Sequence, residues 1–314
     1  LNWKSLSTPE PKAGEVRIRI EAASLNFPDL LIVQNKYQVK PPLPFVPGSE
    51  YAGIVEAVGE GVTHLQVSQA VACLSGTGGF GTHTLAPAKL CMPLPAGFGS
   101  VDAAAFIMTY ATSHHALLDR GQLKAGETVL VLGAAGGVGT AAIQIAKAIG
   151  ARIAVTCSSG KAQACRDLGA DLVVERSPHD WLADVLEVVP QGFDVVLDVI
   201  GGDEVERNLK AVTTKGTIVQ VGLMGGGSTQ VNVGLLLMKR ARWIGTTLRA
   251  RPLEEKAALT RKFAAEVLPL FESGRLKPII DSRYSFQQIA DAHIAMGANA
   301  NTGKILIDIS NAGD

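Results

Sequence analysis

Residues 131–139, which read V-L-G-A-A-G-G-V-G, are the segment of this 314-residue sequence whose residue types and spacing best suit ligand chemistry. They follow an apolar run that is typical of a buried strand, and they open a helical stretch over residues 140–149. Small residues let the backbone approach a pyrophosphate, while the start of a helix offers unpaired N–H groups and the positive end of its dipole. The spacing predicts a dinucleotide site lined by Ala135, Gly136, Gly137 and Val138, the alternative being a tight turn without a ligand.

The end of the next predicted strand indicates which dinucleotide this site would select. There the chain reads T-C-S-S-G-K over residues 156–161 and lacks the Asp or Glu with which an NAD site holds the ribose 2′-hydroxyl. Hydroxyl and cationic side chains instead suit a 2′-phosphate, and we expect them from Ser158, Ser159, Lys161 and Arg176. The alternative for Lys161 is a solvated helix residue. The sequence therefore predicts NADPH as the cofactor.

The composition argues against several other classes of protein. Lys plus Arg and Asp plus Glu both number 29, so the neutral chain lacks the charge that draws proteins to nucleic acids or anionic membranes. Aromatic residues are 5% of the total, too few for a base-stacking platform. Four cysteines without a C-x-x-C pair exclude a disulfide scaffold or a cysteine-rich zinc lobe. Reduced thiols and the lack of a signal peptide predict a cytoplasmic protein.

The strand and helix signals divide the chain into two kinds of fold. Residues 15–22 alternate as E-V-R-I-R-I-E-A, which predicts a half-buried strand in a β-rich first part. Beyond residue 103, continuous apolar runs alternate with helical stretches, which indicates a parallel sheet covered on both faces. A final strand–helix–strand segment ends in K-I-L-I-D-I, and we expect it to return to the first part. The predicted fold class is α/β, a doubly wound parallel sheet with a β-rich unit.

Five short motifs taken together are specific to one family of enzymes. They are N-F-P-D at 26–29, P-G-S-E-Y-A-G at 47–53, A-A-G-G-V-G at 134–139, V-G-L-M-G-G-G at 221–227 and G-K at 303–304. In these segments the chain resembles the zinc-independent, zeta-crystallin-like NADPH:quinone oxidoreductases of the medium-chain dehydrogenase/reductase superfamily. The resemblance implies a GroES-like catalytic domain over residues 1–108 and 252–314, a Rossmann domain over 109–251, and a cleft between them. It also implies a homodimer formed through edge strands near residues 243–248.

The sequence departs from the zinc-dependent alcohol dehydrogenases of that superfamily at the metal positions. Those enzymes have Cys where Asn26 stands, His where Ser49 stands, and a further Cys ligand near Thr109. Amide and hydroxyl oxygens do not replace thiolate and imidazole on Zn²⁺, and none of the six histidines occupies these positions. We therefore expect a catalytic site without a metal.

The resemblance also assigns roles to single residues. It implies that Asn26 and Tyr37 line the substrate pocket, the alternative for Asn26 being a turn-forming residue. The residues that it implies for cofactor contact are Thr112 beside the nicotinamide, the loop residues Gly222, Leu223 and Met224, and the side chains of Leu248, Arg249, Arg251 and Lys304. The alternatives are a structural turn for the loop, a solvated helix start for the arginines and a strand-edge position for Lys304.

These observations predict a reaction. Without a metal an alkoxide is hard to stabilise at neutral pH, whereas hydride addition to an electron-poor acceptor needs less help. The sequence therefore predicts NADPH-dependent, metal-free hydride transfer to a quinone or an activated enone. The enzymatic alternative is an enoyl-thioester or enone reductase in which Tyr37 donates the proton. The other alternative is a non-enzymatic, NADPH-bound protein with an RNA-binding or structural role.

Overall fold

The computed structural model describes residues 2–176 and 180–310. The chain folds as two compact units, a β-rich unit that ends at Ala111 and resumes at Arg249, and a parallel-sheet unit over Thr112–Leu248. The family resemblance implies domain boundaries after residues 108 and 251. The contacts within the structure place Arg249 and Arg251 in the β-rich unit. None of the helices in the described ranges is both long enough and apolar enough to cross a bilayer.

Thirteen labelled strands and eleven labelled helices make up the described chain. The strands are β1 (Glu15–Leu25), β2 (Glu50–Val58), β3 (Ala70–Leu74), β4 (His83–Pro87), β5 (Cys91–Pro93), β6 (Thr128–Leu132), β7 (Arg152–Cys157), β8 (Leu172–Glu175), β9 (Phe193–Asp198), β10 (Val212–Gln220), β11 (Arg242–Gly245), β12 (Ile280–Ser285) and β13 (Lys304–Asp308). The helices are α1 (Phe27–Val33), α2 (Ser100–Ala103), α3 (Ile107–His114), α4 (Gly137–Ile149), α5 (Ala162–Asp167), α6 (Trp181–Val188), α7 (Glu204–Ala211), α8 (Val233–Lys239), α9 (Leu253–Glu266), α10 (Leu268–Glu272) and α11 (Ile289–Gly297).

The β-rich unit is organised around its longest strand, β1. Its sheet has the order β12-β13-β1-β2-β3-β5, and β4 also pairs with β1. Val16, Ile18 and Ile20 of β1 are buried while their neighbours are partly exposed, as the alternating sequence predicts. β13 lies antiparallel to β1 and parallel to β12, so the last segment of the chain completes the sheet that the first segment begins.

The parallel-sheet unit confirms the predicted Rossmann-like fold. Its strand order is β11-β10-β9-β6-β7-β8, and every neighbouring pair is parallel. All five residues of β6 are buried, which is why this strand reads as a continuous apolar run. Leu130, Trp181, Phe193 and Leu209 are among the side chains that form the core. The carboxyl ends of β6 and β7 carry the segments that the sequence singled out.

The four cysteines are buried free thiols that lie in two spatial pairs. β3 places Cys73 directly opposite Cys91 of β5. Cys157, at the end of β7, hydrogen bonds with Cys165 of α5, and this contact lowers the pKa of the Cys157 thiol. The spacing of the cysteines in the sequence did not reveal either pair, because sheet register and a strand–helix turn create them.

Candidate functional site

The loop between β6 and α4 presents backbone N–H groups at the edge of the parallel sheet. Gly133 turns the chain with φ of +68°, and α4 begins at Gly137. No side chain in the described part of the chain caps this helix at Gly136, so its first-turn N–H groups can bind a ligand. A Cβ at Gly139 would collide with the carbonyl of Ala134, so glycine is required for this tight approach. The loop therefore fits a pyrophosphate.

Two exposed hydroxyl residues, Ser158 and Ser159, follow β7 at the same edge of the sheet. The backbone N–H of Lys161 donates to the carbonyl of Ser158 over 3.2 Å, and that of Arg176 donates to the last residue of β7 over 3.0 Å. The turn brings all four residues predicted for the 2′-phosphate to the carboxyl ends of β7 and β8. Hydroxyl and cationic groups suit a phosphate ester, and residues 156–161 contain no acid to hold a free ribose hydroxyl.

A buried carboxylate that the sequence reasoning missed, that of Asp198, holds the loop after β9. Asp198, the last residue of β9, accepts hydrogen bonds from the backbone of Ile200 (2.6 Å) and Gly201 (2.9 Å) and from the amide of Asn208 (2.8 Å). Its carbonyl accepts the N–H of Gly222 over 3.3 Å. Burial raises the pKa of Asp198, and these hydrogen bonds oppose that shift. The available signal was an acid at the end of an apolar strand, shortly before two glycines.

The residues predicted to surround the nicotinamide lie on three segments of the parallel-sheet unit. Leu223 and Met224 are exposed in the loop after β10, where the N–H of Met224 donates to the carbonyl of Val199 over 3.4 Å. Thr112 is partly buried in α3, and Leu248 lies in a bend after β11. Their contacts with a cofactor stay predictions.

In the β-rich unit, a buried ammonium group lies against Asn26, the residue that stands at a zinc-ligand position of the alcohol dehydrogenases. Lys304 reaches in from β13 and its Nζ lies 3.0 Å from a carboxylate oxygen of Glu50. The same Nζ donates to the side-chain oxygen of Asn26 and, over 3.3 Å, to the carbonyl of Leu25. All three N–H bonds of this ammonium therefore point at acceptors of the protein itself.

The partner carboxylate, Glu50, is equally well bonded at the start of β2. Its Oε2 accepts hydrogen bonds from the hydroxyl of Ser24 at 2.8 Å and from the amide nitrogen of Asn26 at 3.0 Å. Its Oε1 accepts the backbone N–H of Met108 at 2.9 Å. Since Asn26 bonds the carboxylate through nitrogen and the ammonium through oxygen, its amide is held in one orientation.

Asp29 completes this buried group from the first turn of α1. Its Oδ2 accepts the backbone N–H of Asn26 at 2.9 Å, which forms a capping box at the start of the helix. Burial raises the pKa of Asp29 to about 6, while that hydrogen bond, the hydroxyl of Ser49 and the charges of Lys304 and Arg249 act in the opposite direction. The carboxyl group is thus electrostatically coupled to two cations of the β-rich unit.

Arg249 and Tyr37 form a second cluster next to Asp29. The guanidinium carbon lies 5.5 Å from the centroid of the Tyr37 ring, a cation–π distance, and Nη2 donates to the carbonyl of Gly76. Burial raises the pKa of the Tyr37 phenol and lowers that of the Arg249 guanidinium. Arg251, by contrast, pairs with Glu255 over 3.4 Å, so the structure separates the two arginines that the sequence analysis took together.

The side chains at the metal positions of the zinc dehydrogenases do not fit Zn²⁺. Asn26, Ser49 and Thr109 are buried, but they offer an amide and two hydroxyl groups beside a bound ammonium. Across residues 2–176 and 180–310, no group of three or more His, Cys, Asp or Glu side chains is placed to hold a metal ion.

Comparison with known proteins gives the same domain types. Residues 12–96 match the family described as alcohol dehydrogenase GroES-like domain, and residues 137–265 match the zinc-binding dehydrogenase family. The chain is 32% identical to human quinone oxidoreductase over 307 residues, which cover 96% of this chain and 91% of that protein. It is 30% identical to the human synaptic vesicle membrane protein VAT-1 homolog over 323 residues, covering 98% and 82% of the two chains.

A solved structure extends the likeness to three dimensions. The Escherichia coli quinone oxidoreductase complexed with NADPH superposes with a TM-score of 0.90 at 28% identity, covering 97% of this chain and 94% of that one. The sequence alignment and the superposition span nearly the whole chain, and the two domain matches together cover about two thirds of it. The chain therefore belongs to the medium-chain dehydrogenase/reductase superfamily and is related within it to the quinone oxidoreductases.

Proposed function

We propose that this chain catalyses NADPH-dependent hydride transfer to a quinone or an activated enone, without a catalytic metal. One observation carries the proposal: a cofactor loop suited to a pyrophosphate occurs in the same chain as a metal position where the ammonium of Lys304 bonds Asn26 and Glu50. The first feature supports redox chemistry with a dinucleotide. The second supports an acceptor that is electron-poor enough to react without a Lewis acid.

The parallel-sheet unit would hold the cofactor by its phosphates. In the proposal, the N–H groups of the loop from Ala135 to Val138 bind the pyrophosphate, and Ser158, Ser159, Lys161 and Arg176 bind the 2′-phosphate. Gly222, Leu223, Met224, Thr112 and Leu248 would surround the nicotinamide. When bound, NADPH supplies the hydride. The chain's own contribution is to fix that ring and to exclude water.

The β-rich unit would hold the acceptor. The Tyr37 phenol is protonated at neutral pH, and burial raises its pKa further, so its hydroxyl can donate a hydrogen bond to an acceptor oxygen. Asn26 is held in one orientation by hydrogen bonds with Glu50 and Lys304, and its amide would form a fixed polar side of the acceptor site. Because all three N–H bonds of Lys304 are engaged by the protein, a contact between Lys304 and a cofactor would have to displace one of them.

Anaerobic stopped-flow absorbance tests the proposed function. We expect the purified protein to oxidise NADPH rapidly with phenanthrenequinone or an activated enone and slowly with crotonyl-CoA. Preferential turnover of crotonyl-CoA would replace the proposal with the enoyl-thioester reductase alternative. No oxidation with any acceptor, together with RNA retention on filters that falls as salt rises, would favour the non-enzymatic alternative.

The proposal includes a homodimer formed through β11. This strand is at one end of the six-stranded sheet, and Arg242, Trp243 and Gly245 are exposed along it. An exposed edge strand offers unpaired backbone groups to a second copy of the same strand. Analytical ultracentrifugation of the full chain measures this directly.

A further inference from the structure

Arg249 is a cation whose surroundings in the β-rich unit are only partly polar. Its guanidinium lies over the Tyr37 ring at 5.5 Å, and Nη2 donates to the carbonyl of Gly76. Nη1 is shielded from solvent by the protein, yet within residues 2–176 and 180–310 it has no hydrogen-bond partner. A buried N–H group without an acceptor is costly, so an oxygen that reaches Nη1 when the groups covering it move aside would be stabilised there.

Two other cations of the unit, Lys304 and Arg17, differ from Arg249 because each has a carboxylate partner. Lys304 is satisfied by Glu50, Asn26 and Leu25. Arg17 also has a shielded Nε–H without a hydrogen-bond partner, but its guanidinium contacts the carboxylates of Glu10 and Glu56. In the described part of the chain, no carboxylate lies within ion-pair distance of Arg249.

The local electrostatics favour an anion beside this guanidinium. The nearest acidic influence is Asp29, and burial raises the pKa of that carboxyl to about 6, which weakens its tendency to stay charged. The Lys256 amine lies close enough to Arg249 for the guanidinium charge, together with burial, to lower its pKa. An oxyanion that forms here would be drawn to the guanidinium.

We propose that Arg249 is a catalytic residue of the acceptor site, and that its Nη1 binds the carbonyl oxygen on which negative charge develops. This inference rests on the proposed function, whose quinone and enone acceptors both take up the charge on a carbonyl oxygen. The acceptor carbon gains a C–H bond from the hydride that the cofactor releases, and the cofactor is left oxidised. The electron pair of the broken acceptor π bond moves to the carbonyl oxygen, which then takes a proton from solvent.

The geometry suits this task better than the task of binding a cofactor phosphate. The ring of Tyr37 and the carbonyl of Gly76 fix the plane of the guanidinium, so the direction of Nη1 is set before the acceptor binds. A preorganised donor of this kind stabilises a developing oxyanion without reorganisation. The guanidinium would supply the electrostatic stabilisation that a metal supplies in the zinc dehydrogenases.

Two variants of Arg249 test the inference by pre-steady-state kinetics at saturating NADPH. We expect Arg249→Gln to slow hydride transfer by roughly 100-fold and Arg249→Lys to slow it less, because lysine keeps the charge. The loss should grow as the acceptor carbonyl becomes less electron-poor, while the NADPH Kd from fluorescence quenching stays unchanged. The exposed Arg261→Gln is the matched control and should behave as wild type. Weaker NADPH binding with unchanged hydride transfer would overturn the inference and assign Arg249 to the cofactor.

Binding of para-nitrophenolate, an oxyanion that needs no turnover, separates this inference from the proposed function. We expect wild-type protein and Arg261→Gln to bind it at least ~10-fold more tightly than Arg249→Gln does, as measured by the shift of its absorbance. Equal binding by all three proteins would sink the inference, even if NADPH is oxidised. If Arg249→Gln binds para-nitrophenolate more weakly than wild type does, but the wild-type protein reduces no acceptor, the anion site is upheld and the proposed function is rejected.

Discussion

Lys304 and Glu50 form a 3.0 Å ion pair whose side chains are only 4% and 0% exposed, although 254 residues separate them in the sequence. Taking two charges out of water is costly unless each finds a partner and further hydrogen bonds. Here the hydroxyl of Ser24, the amide of Asn26 and a backbone N–H supply those bonds. Both buried charges of this pair therefore have their partners within the β-rich unit.

Removal of either charge should therefore destabilise the protein strongly. We expect Lys304→Met or Glu50→Gln alone to lower the free energy of unfolding by about 3–5 kcal/mol, since each leaves a buried charge unpaired. The double variant should recover a large part of that loss in urea denaturation. Lys89→Met, which breaks the exposed Lys89–Glu254 pair, is the control and should leave the midpoint nearly unchanged. Strictly additive losses in the double variant would contradict the coupling.

The pH dependence of stability should report the ionisation of Asp29. Its pKa is about 6 in the folded protein against an ordinary value of 3.8, so the folded state holds its proton more tightly. The stability that this provides is full below pH 3.8 and is lost as the pH rises through 6. Asp29→Asn cannot ionise, so its stability relative to wild type should rise by about 3 kcal/mol across that range. A difference that does not vary with pH would show that Asp29 keeps its ordinary pKa.

Two glycines of the cofactor loop should respond differently to alanine. At Gly139 a Cβ would collide with Ala134, so Gly139→Ala should lower the free energy of unfolding by about 1–3 kcal/mol. At Gly136 the nearest atom to a Cβ is the carbonyl of Gly133 at 3.5 Å, so Gly136→Ala should fold normally. That methyl group should nevertheless hinder the pyrophosphate and weaken NADPH binding. Thermal unfolding and fluorescence titration measure the two effects, and unchanged NADPH affinity in Gly136→Ala would count against the proposed cradle.

Cofactor selectivity should depend on Lys161. We expect Lys161→Met to weaken NADPH binding about tenfold or more while leaving NADH binding unchanged, because only NADPH carries the phosphate that the ammonium would contact. Lys124→Met, an exposed lysine of the same unit, is the control. Equal losses for both cofactors, or a wild-type protein that prefers NADH, would refute the assignment of a 2′-phosphate site to the end of β7.

The proposed dimer should be sensitive to charge on β11. Trp243 is 41% exposed on this edge strand, and a glutamate there would place like charges together in a symmetric interface. We expect Trp243→Glu to shift the sedimentation coefficient from dimer to monomer. Val188→Glu, which changes an exposed apolar residue of α6, should leave the dimer intact. A wild-type chain that sediments as a monomer would remove the dimer from the proposal.

Local patterns allowed the cofactor unit to be predicted from sequence. A buried strand, a glycine turn and a helix follow one another over residues 128–149, so the structure of the loop depends on neighbours in the sequence. The alternation in β1 is local as well, and the strand has the predicted buried face. The β-rich unit was predicted as a GroES-like domain from the motifs that the chain shares with the quinone oxidoreductases.

The arrangement of charged groups in the β-rich unit could not be predicted in the same way. Lys304 meets Glu50 because β1 lies between β13 and β2, a consequence of sheet order that no local spacing encodes. Asp198 was overlooked because its hydrogen bonds go to backbone groups that only a formed turn brings within reach. Arg249 was grouped with Arg251 by proximity in the chain, whereas a turn directs Arg249 to the Tyr37 ring.

The position of Lys304 on the last strand has a consequence for biosynthesis. During synthesis Glu50 leaves the ribosome 254 residues before its counter-ion does. Until then the nascent β2 carries a carboxylate that favours water over the protein interior. The carboxylate of Glu50 must therefore stay hydrated while the parallel-sheet unit is being made. Closure of this interior by β13 therefore follows synthesis of the whole parallel-sheet unit.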